Sequence, residues 1–353
     1  MKRITTVIMV SVLALAVIVT ACGNDQKAAT NTPAQTQPAQ GGEQAANPED
    51  PLSQFPALKL PYTVEPNATI TEYQGGKLTA KEFEDFLRTI SFLNPQQREM
   101  IEAADQESLK NFAREFTATK ILAARADDAI RKESQNTAEK TFDKVKSQYI
   151  AMLGKDAGAF DKLMQNQGLT RELVVSQMAL INDSIGVLKQ GITDAELQKQ
   201  YDQADKAQFT TASVRHILIS TESRKPEEAL KLANELIARI KKGEDFAALA
   251  KQYSDDPGSK EEGGLYKDAD VNQWVPEFKN AALTLPIGQV SEPVKTDYGY
   301  HVMRVEDRKV KSFAEAKDQM RQQALETKYG EFVQGELDKL ITKWNIPQPK
   351  QAG

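Results

Sequence analysis

Only two histidines occur in the 353 residues, and both fall in stretches that read as short strands. His216 lies in "ASVRHILIS" and His301 in "TDYGYHVMRV". By the two-residue period of a strand, Val214, His216 and Leu218 share one face, as do His301, Met303 and Val305. A neutral imidazole donates from one nitrogen and accepts at the other, so two that meet can hold a directed hydrogen-bond chain. The bland alternatives are core histidines satisfied by backbone, or a metal site. Two histidines with one carboxylate make an incomplete zinc set, and no further His or Cys is at hand to finish it. No metal is therefore expected. The one cysteine, Cys22, is a second chemically distinctive residue, since a lone thiol forms no internal disulfide.

The elements that position these residues begin with a leader. Lys2 and Arg3 precede an apolar run from Val7 to Val19, the layout of a secretory signal and too short for a membrane span. The run ends on Val19-Thr20-Ala21-Cys22, which resembles the bacterial lipobox. That resemblance implies cleavage after residue 21 and lipid on the sulfur of Cys22, each buried CH₂ contributing about 0.8 kcal/mol of membrane affinity. Residues 22–60 are assigned to a tether. From Gly23 to about Pro51 it lacks aromatic residues and any apolar group larger than alanine, so burial cannot offset its ordering entropy.

Order is expected from about Ala68. Thr79 with Glu82 forms a capping box ahead of Phe83, Phe86 and Leu87, and helical spacing continues through Leu109, Phe112, Phe116 and Ile121. Further helical blocks cover 141–153, 170–189 and 193–204, the last opened by Thr193 and Glu196. Residues 61–210 thus read as a helical domain. The pattern changes at Ala212, where strand, helices and then strands over residues 211–308 describe a compact α+β domain. After it, Ser312 and Glu315 cap one long helix through Trp344, within residues 309–346, and 347–353 is a tail. A lone helix with an apolar stripe must bury it, and the earlier helices are the obvious partner. The fold class is α+β, with the α+β domain inserted in a mostly helical, chaperone-like one.

Residues Val214 to Asp307 resemble a parvulin-type peptidyl-prolyl isomerase domain. The likeness rests on "RHIL", on "FAALAKQYSDDPGSKEEGGLY" and on "VPEFKNAALTLPIGQVSEPVKTDYGYHVMRV". With the lipobox, tether and flanking helices, the whole chain resembles a PrsA-type foldase lipoprotein. The resemblance implies a catalytic set of His216, Asp256 and His301. It also implies a proline pocket of Leu265, Trp274 and Phe278, with Tyr298 at the rim. Relatives often carry methionine in place of Trp274, and some carry serine in place of Tyr298. It further implies lipid anchoring at the outer face of the cytoplasmic membrane of a Gram-positive cell. The partners implied are unfolded or partly folded secreted proteins with X-Pro bonds.

The reaction so implied asks for no nucleophile, metal or cofactor. An X-Pro bond must cross a barrier of roughly 18–20 kcal/mol, and trans is preferred by only ~0.5–1 kcal/mol, so such an enzyme changes rate and not direction. Differential binding of the twisted amide is sufficient catalysis. A holdase chaperone with a catalytically silent parvulin domain is the alternative; loss of either histidine or of Phe278 would favour it, and all three are present. A transporter's solute-binding lipoprotein would show repeated β/α units across two lobes, which this pattern lacks. The net charge of −5, becoming −7 once Lys2 and Arg3 leave with the signal, argues against nucleic acid as the main partner. Arg224 and Lys225 form a small basic pair after the first strand, the place where some phosphate-dependent parvulins are basic. Oligomeric state is left open by the sequence, a dimer included.

Overall fold

The structure, a computed structural model, describes residues 51–154 and 156–350. Cys22, the signal 1–21 and the tether up to residue 50 lie outside the described residues. Its chain divides into two compact units: one runs to Ile192 and resumes at Gln323, and the other is the intervening Thr193–Gln322.

The first unit opens with β1 (Thr69–Tyr73) and β2 (Gly76–Thr79), an antiparallel pair. Six helices follow: α1 (Ala80–Leu93), α2 (Gln97–Glu102), α3 (Gln106–Ala123), α4 (Asp128–Met152), α5 (Ala157–Asn166) and α6 (Arg171–Lys189). The Thr79–Glu82 capping box is formed at the start of α1. Phe83, Phe86, Leu87 and Ile90 of α1 bury against Leu109 and Phe116 of α3, with Phe86 and Phe116 stacked at 4.2 Å. A second core joins Phe142 and Tyr149 of α4 to Phe160 of α5 and Val174 of α6.

The second unit starts at α7 (Asp194–Gln203), capped by Thr193. Then come β3 (Thr210–Ser220), α8 (Pro226–Lys241), α9 (Phe246–Tyr253), β4 (Leu265–Asp270), α10 (Pro276–Thr284), β5 (Val294–Thr296) and β6 (Gly299–Val310). The strands form one antiparallel sheet in the order β4-β3-β6-β5, so the two histidine strands are its central pair. Ile217, Ile219 and Val302 face the helices α8 and α9 on one side. Val214, Met303 and Val305 face Phe278, Ala281 and Ala282 of α10 on the other. The unit is larger than the expected 211–308. Tyr201 of α7 places its ring between Phe209 and Phe313 and donates its hydroxyl to the Lys311 carbonyl at 2.7 Å. Asp194 pairs with Arg321 at 2.6 Å and with Lys317, which ties both ends of this unit together.

The final helix, α11 (Phe313–Phe332), does start with the Ser312–Glu315 box. It does not continue to Trp344. A wider π turn over Val333–Leu337 ends its register, and Ile341–Trp344 forms β7 on the free edge of β1. The reason is chemical: Ile341 and Thr342 are β-branched, and an open strand edge is available to them. Two further expectations are corrected. The stretch assigned to the tether is packed from its described start: Leu52 and Phe55 join the second core and Leu58 is 4% exposed, because these side chains have apolar surface to bury. In the tail, Pro347 is buried and the Lys350 N–H donates to the Pro61 carbonyl.

Candidate active site

The sheet places the histidines by parity and register. His216 stands opposite Met303 and His301 opposite Leu218, so the two are diagonal neighbours on one face. Their Nδ1 atoms are 3.2 Å apart, and they are only 3% and 5% exposed. The loop carrying Asp256 is fastened to β3: the Asp255 N–H donates to the Leu218 carbonyl, and the Ser254 hydroxyl accepts the N–H of Leu218 and of Asp256. The loop ends at Gly264, whose carbonyl accepts the His216 N–H at 2.8 Å. Gly264 has φ +81°, and a Cβ there would stand 2.1 Å from the His216 carbonyl oxygen, so only glycine fits.

His216 Nε2 lies 3.0 Å from Asp256 Oδ2 and 3.0 Å from the Ser259 hydroxyl. Burial pushes the Asp256 carboxyl up, but hydrogen bonds from His216 and Ser259 outweigh it and hold the group well below the usual carboxylate range. An ionised Asp256 only accepts, so it assigns the proton to His216 Nε2. In the neutral pair His216 Nδ1 then accepts from the Nδ1–H of His301. His301 Nε2 accepts from the Thr296 hydroxyl at 2.9 Å, and Thr296 in turn accepts the Tyr298 N–H at 3.2 Å. Every ring nitrogen is thus engaged in one directed chain. Burial, with the neighbouring His216 adding to it, pushes the His301 imidazole down to about 3, so it stays uncharged near neutrality.

Above this polar floor stands an aromatic wall. Phe278 meets both imidazoles edge-on, at 5.1 Å from His216 and 5.2 Å from His301. Trp274 is half-buried, 5.0 Å from Phe278 and 6.4 Å from Tyr266. His216, Asp256, His301, Trp274 and Phe278 are therefore brought together. Tyr298 is 56% exposed in the turn before β6. Leu265 is misplaced in the expected set. It pairs with Arg215 while Tyr266 pairs with Val214, so strand alternation puts Leu265 on the opposite face and Tyr266 on the site's face. Ser259, Tyr266 and Thr296 are the residues that sequence reasoning missed. Arg224 is not a free cation: it pairs with Asp255 and bonds the Ser220 carbonyl.

Such a floor and wall can hold a pyrrolidine ring over fixed dipoles without donating a nucleophile. Comparison with known proteins agrees with that chemistry. The family model of the PPIC-type PPIase domain matches residues 196–309. The second unit therefore contains a parvulin-type peptidyl-prolyl isomerase domain. Foldase protein PrsA 3 of Bacillus anthracis is 34% identical over 226 residues, covering 63% of this chain and 70% of that protein. This chain belongs to the PrsA foldase family. Foldase protein PrsA of Caldanaerobacter subterraneus subsp. tengcongensis is 40% identical over 150 residues, but the match spans only 46% of its length. A crystal structure of peptidylprolyl isomerase (PrsA) from Bacillus anthracis is 27% identical, covers 64% of this chain and 95% of that one, and has a TM-score of 0.37.

Proposed function

We propose that the protein is a membrane-anchored, extracytoplasmic foldase that catalyses cis-trans isomerisation of X-Pro bonds in secreted proteins as they fold. The observation that carries the reading is the directed chain from Thr296 through both imidazoles to Asp256, lying directly beneath Phe278. The aromatic wall grips the proline ring, and the buried dipoles favour the twisted amide over the planar one. Electrostatic preorganisation of this kind costs no reorganisation at the moment of reaction. Burial holds His301 neutral near neutrality, so in this reading its imidazole serves as a fixed, oriented dipole. The anchor is lipid on Cys22, and the partners are unfolded chains with exposed X-Pro bonds.

Protease-coupled isomerisation of a proline peptide by the full chain tests the chemistry. His216→Ala and His301→Ala should each lower kcat/KM by about 10- to 100-fold, and the double variant should lose little more, since residues acting as one unit combine non-additively. A wild-type chain without activity, or strictly additive losses, would contradict the reading. Membrane fractionation tests the anchor: Cys22→Ser should release the protein or leave it unprocessed, and cleavage and secretion of an unlipidated wild-type protein would refute lipidation.

A further inference from the structure

Asp256 spends its two oxygens unequally. Oδ2 takes three donors: His216 Nε2–H at 3.0 Å, the Ser259 hydroxyl, and the Tyr266 hydroxyl at 3.0 Å. Oδ1 takes the long N–H of Gly258 at 3.3 Å. The Tyr266 ring lies nearly parallel to His216, 5.5 Å away with 26° between planes, so this side chain touches both the wall and the floor. The surrounding chain makes room for its hydroxyl. A Cβ at Gly258 would stand 2.6 Å from the Tyr266 oxygen, so glycine there keeps the path to Asp256 open. Burial, with the Asp256 charge adding to it, pushes the Tyr266 hydroxyl up to about 12, so it remains a donor throughout the working range.

We infer that Tyr266 is a positioning residue for the isomerase reaction: beside Ser259, its hydroxyl fixes the Asp256 carboxylate in the orientation that sets the tautomers of both imidazoles. The inference rests on the isomerase reading of the same site and adds a residue to it. A carboxylate held by three donors on one oxygen cannot turn about its Cβ–Cγ bond without breaking them. With Tyr266 absent from that set, the carboxylate turns more freely, and the proton on His216 is no longer confined to Nε2. The direction of the chain down to Thr296 is then mixed.

The low histidine content makes this measurable, because ring-¹⁵N labelling of the full chain reports only His216 and His301. In wild type the His216 Nε2 and His301 Nδ1 nitrogens should carry protons. Tyr266→Phe keeps the ring and removes only the hydroxyl. It should move the ring resonances toward a tautomer mixture and lower kcat/KM by about three- to tenfold, the size expected when one donor to an acceptor is removed. The Kd for a proline peptide should change less than about twofold, because the ring wall is retained. Gly258→Ala, which crowds the hydroxyl away from Asp256, should reproduce the same spectrum. Ring resonances unchanged in Tyr266→Phe overturn the inference, as do shifted resonances with wild-type kcat/KM. A wild-type chain that isomerises nothing overturns the proposed function instead, and the spectra then still read whether Tyr266 holds Asp256.

Discussion

The two faces of the four-stranded sheet use the same strands for different ends. On one face, Ile217, Ile219 and Val302 meet Ala229, Ala233, Leu236 and Leu249 in an apolar cluster. On the other, Val214, Met303 and Val305 are interrupted by His216 and His301, both buried, beside the buried hydroxyls of Ser259 and Thr296. Adjacent residues on β3, such as His216 and Ile217, thus belong to opposite regimes. Buried polar groups are costly unless each has a partner, and the hydrogen-bond chain supplies those partners. One face provides cohesion; the other carries organised polarity within it.

The sharpest way to break this division is to hollow the apolar face. Leu236 is fully buried, so Leu236→Ala should cost about 2–5 kcal/mol in chemical unfolding of the second unit. Activity per folded molecule should stay near wild type; a tenfold loss of kcat/KM under folding conditions would show that the faces are not separable.

Acid should then attack the polar face selectively. The folded His301 is lowered to about 3 from an ordinary 6.5, so the unfolded chain takes up that proton first. Its contribution is fully present above pH 6.5 and is lost progressively as pH falls from there toward 3. Between pH 7 and 5 the loss should be about 2 kcal/mol, read from urea midpoints. Asp256 acts in the same sense at lower pH, being held ionised by its donors until the medium is well below the ordinary carboxylate range. His301→Gln should flatten the slope between pH 7 and 5, and an undiminished slope in that variant would remove His301 as its source.

The smallest effect belongs to the rim of the wall. Trp274→Met should keep kcat/KM within about threefold, since a flexible thioether refills the same space, while broadening tolerance for the residue before proline. In a Trp344→Phe background, Trp274 fluorescence should respond to a proline peptide in the parent and report directly on the wall. An unchanged substrate profile together with unresponsive fluorescence would place Trp274 outside the pocket.

Much of this site was legible because strand parity is a strong constraint. Placing His216 with Val214 and His301 with Met303 required only the two-residue period, and resemblance to the parvulin domain supplied Asp256, Trp274 and Phe278. The capping pairs at Thr79 and Ser312 were equally readable, since both partners lie within one helical turn. Leu265 failed for the same physical reason that the histidines succeeded. After Gly263-Gly264 the starting phase of β4 is set by its pairing with Arg215, and a one-residue slip exchanges the faces. Ser259 and Thr296 were missed because a hydroxyl carries no periodic signature; each is recognised only by what it touches. The strand at 341–344 was hidden because its partner β1 lies near the other end of the described chain.

That pairing of β1 with β7 has a consequence for the order of events as the chain is made. The first sheet joins Thr71 to Trp344, so its third strand emerges only after all of the second unit has been synthesised. Contacts that close so long a loop must offset its closure entropy before they are rewarded. The isomerase unit, by contrast, holds every one of its strands within Thr193–Gln322 and is complete before β7 appears. Chain order alone therefore lets a working catalytic unit be assembled while the first unit is still waiting for its last strand.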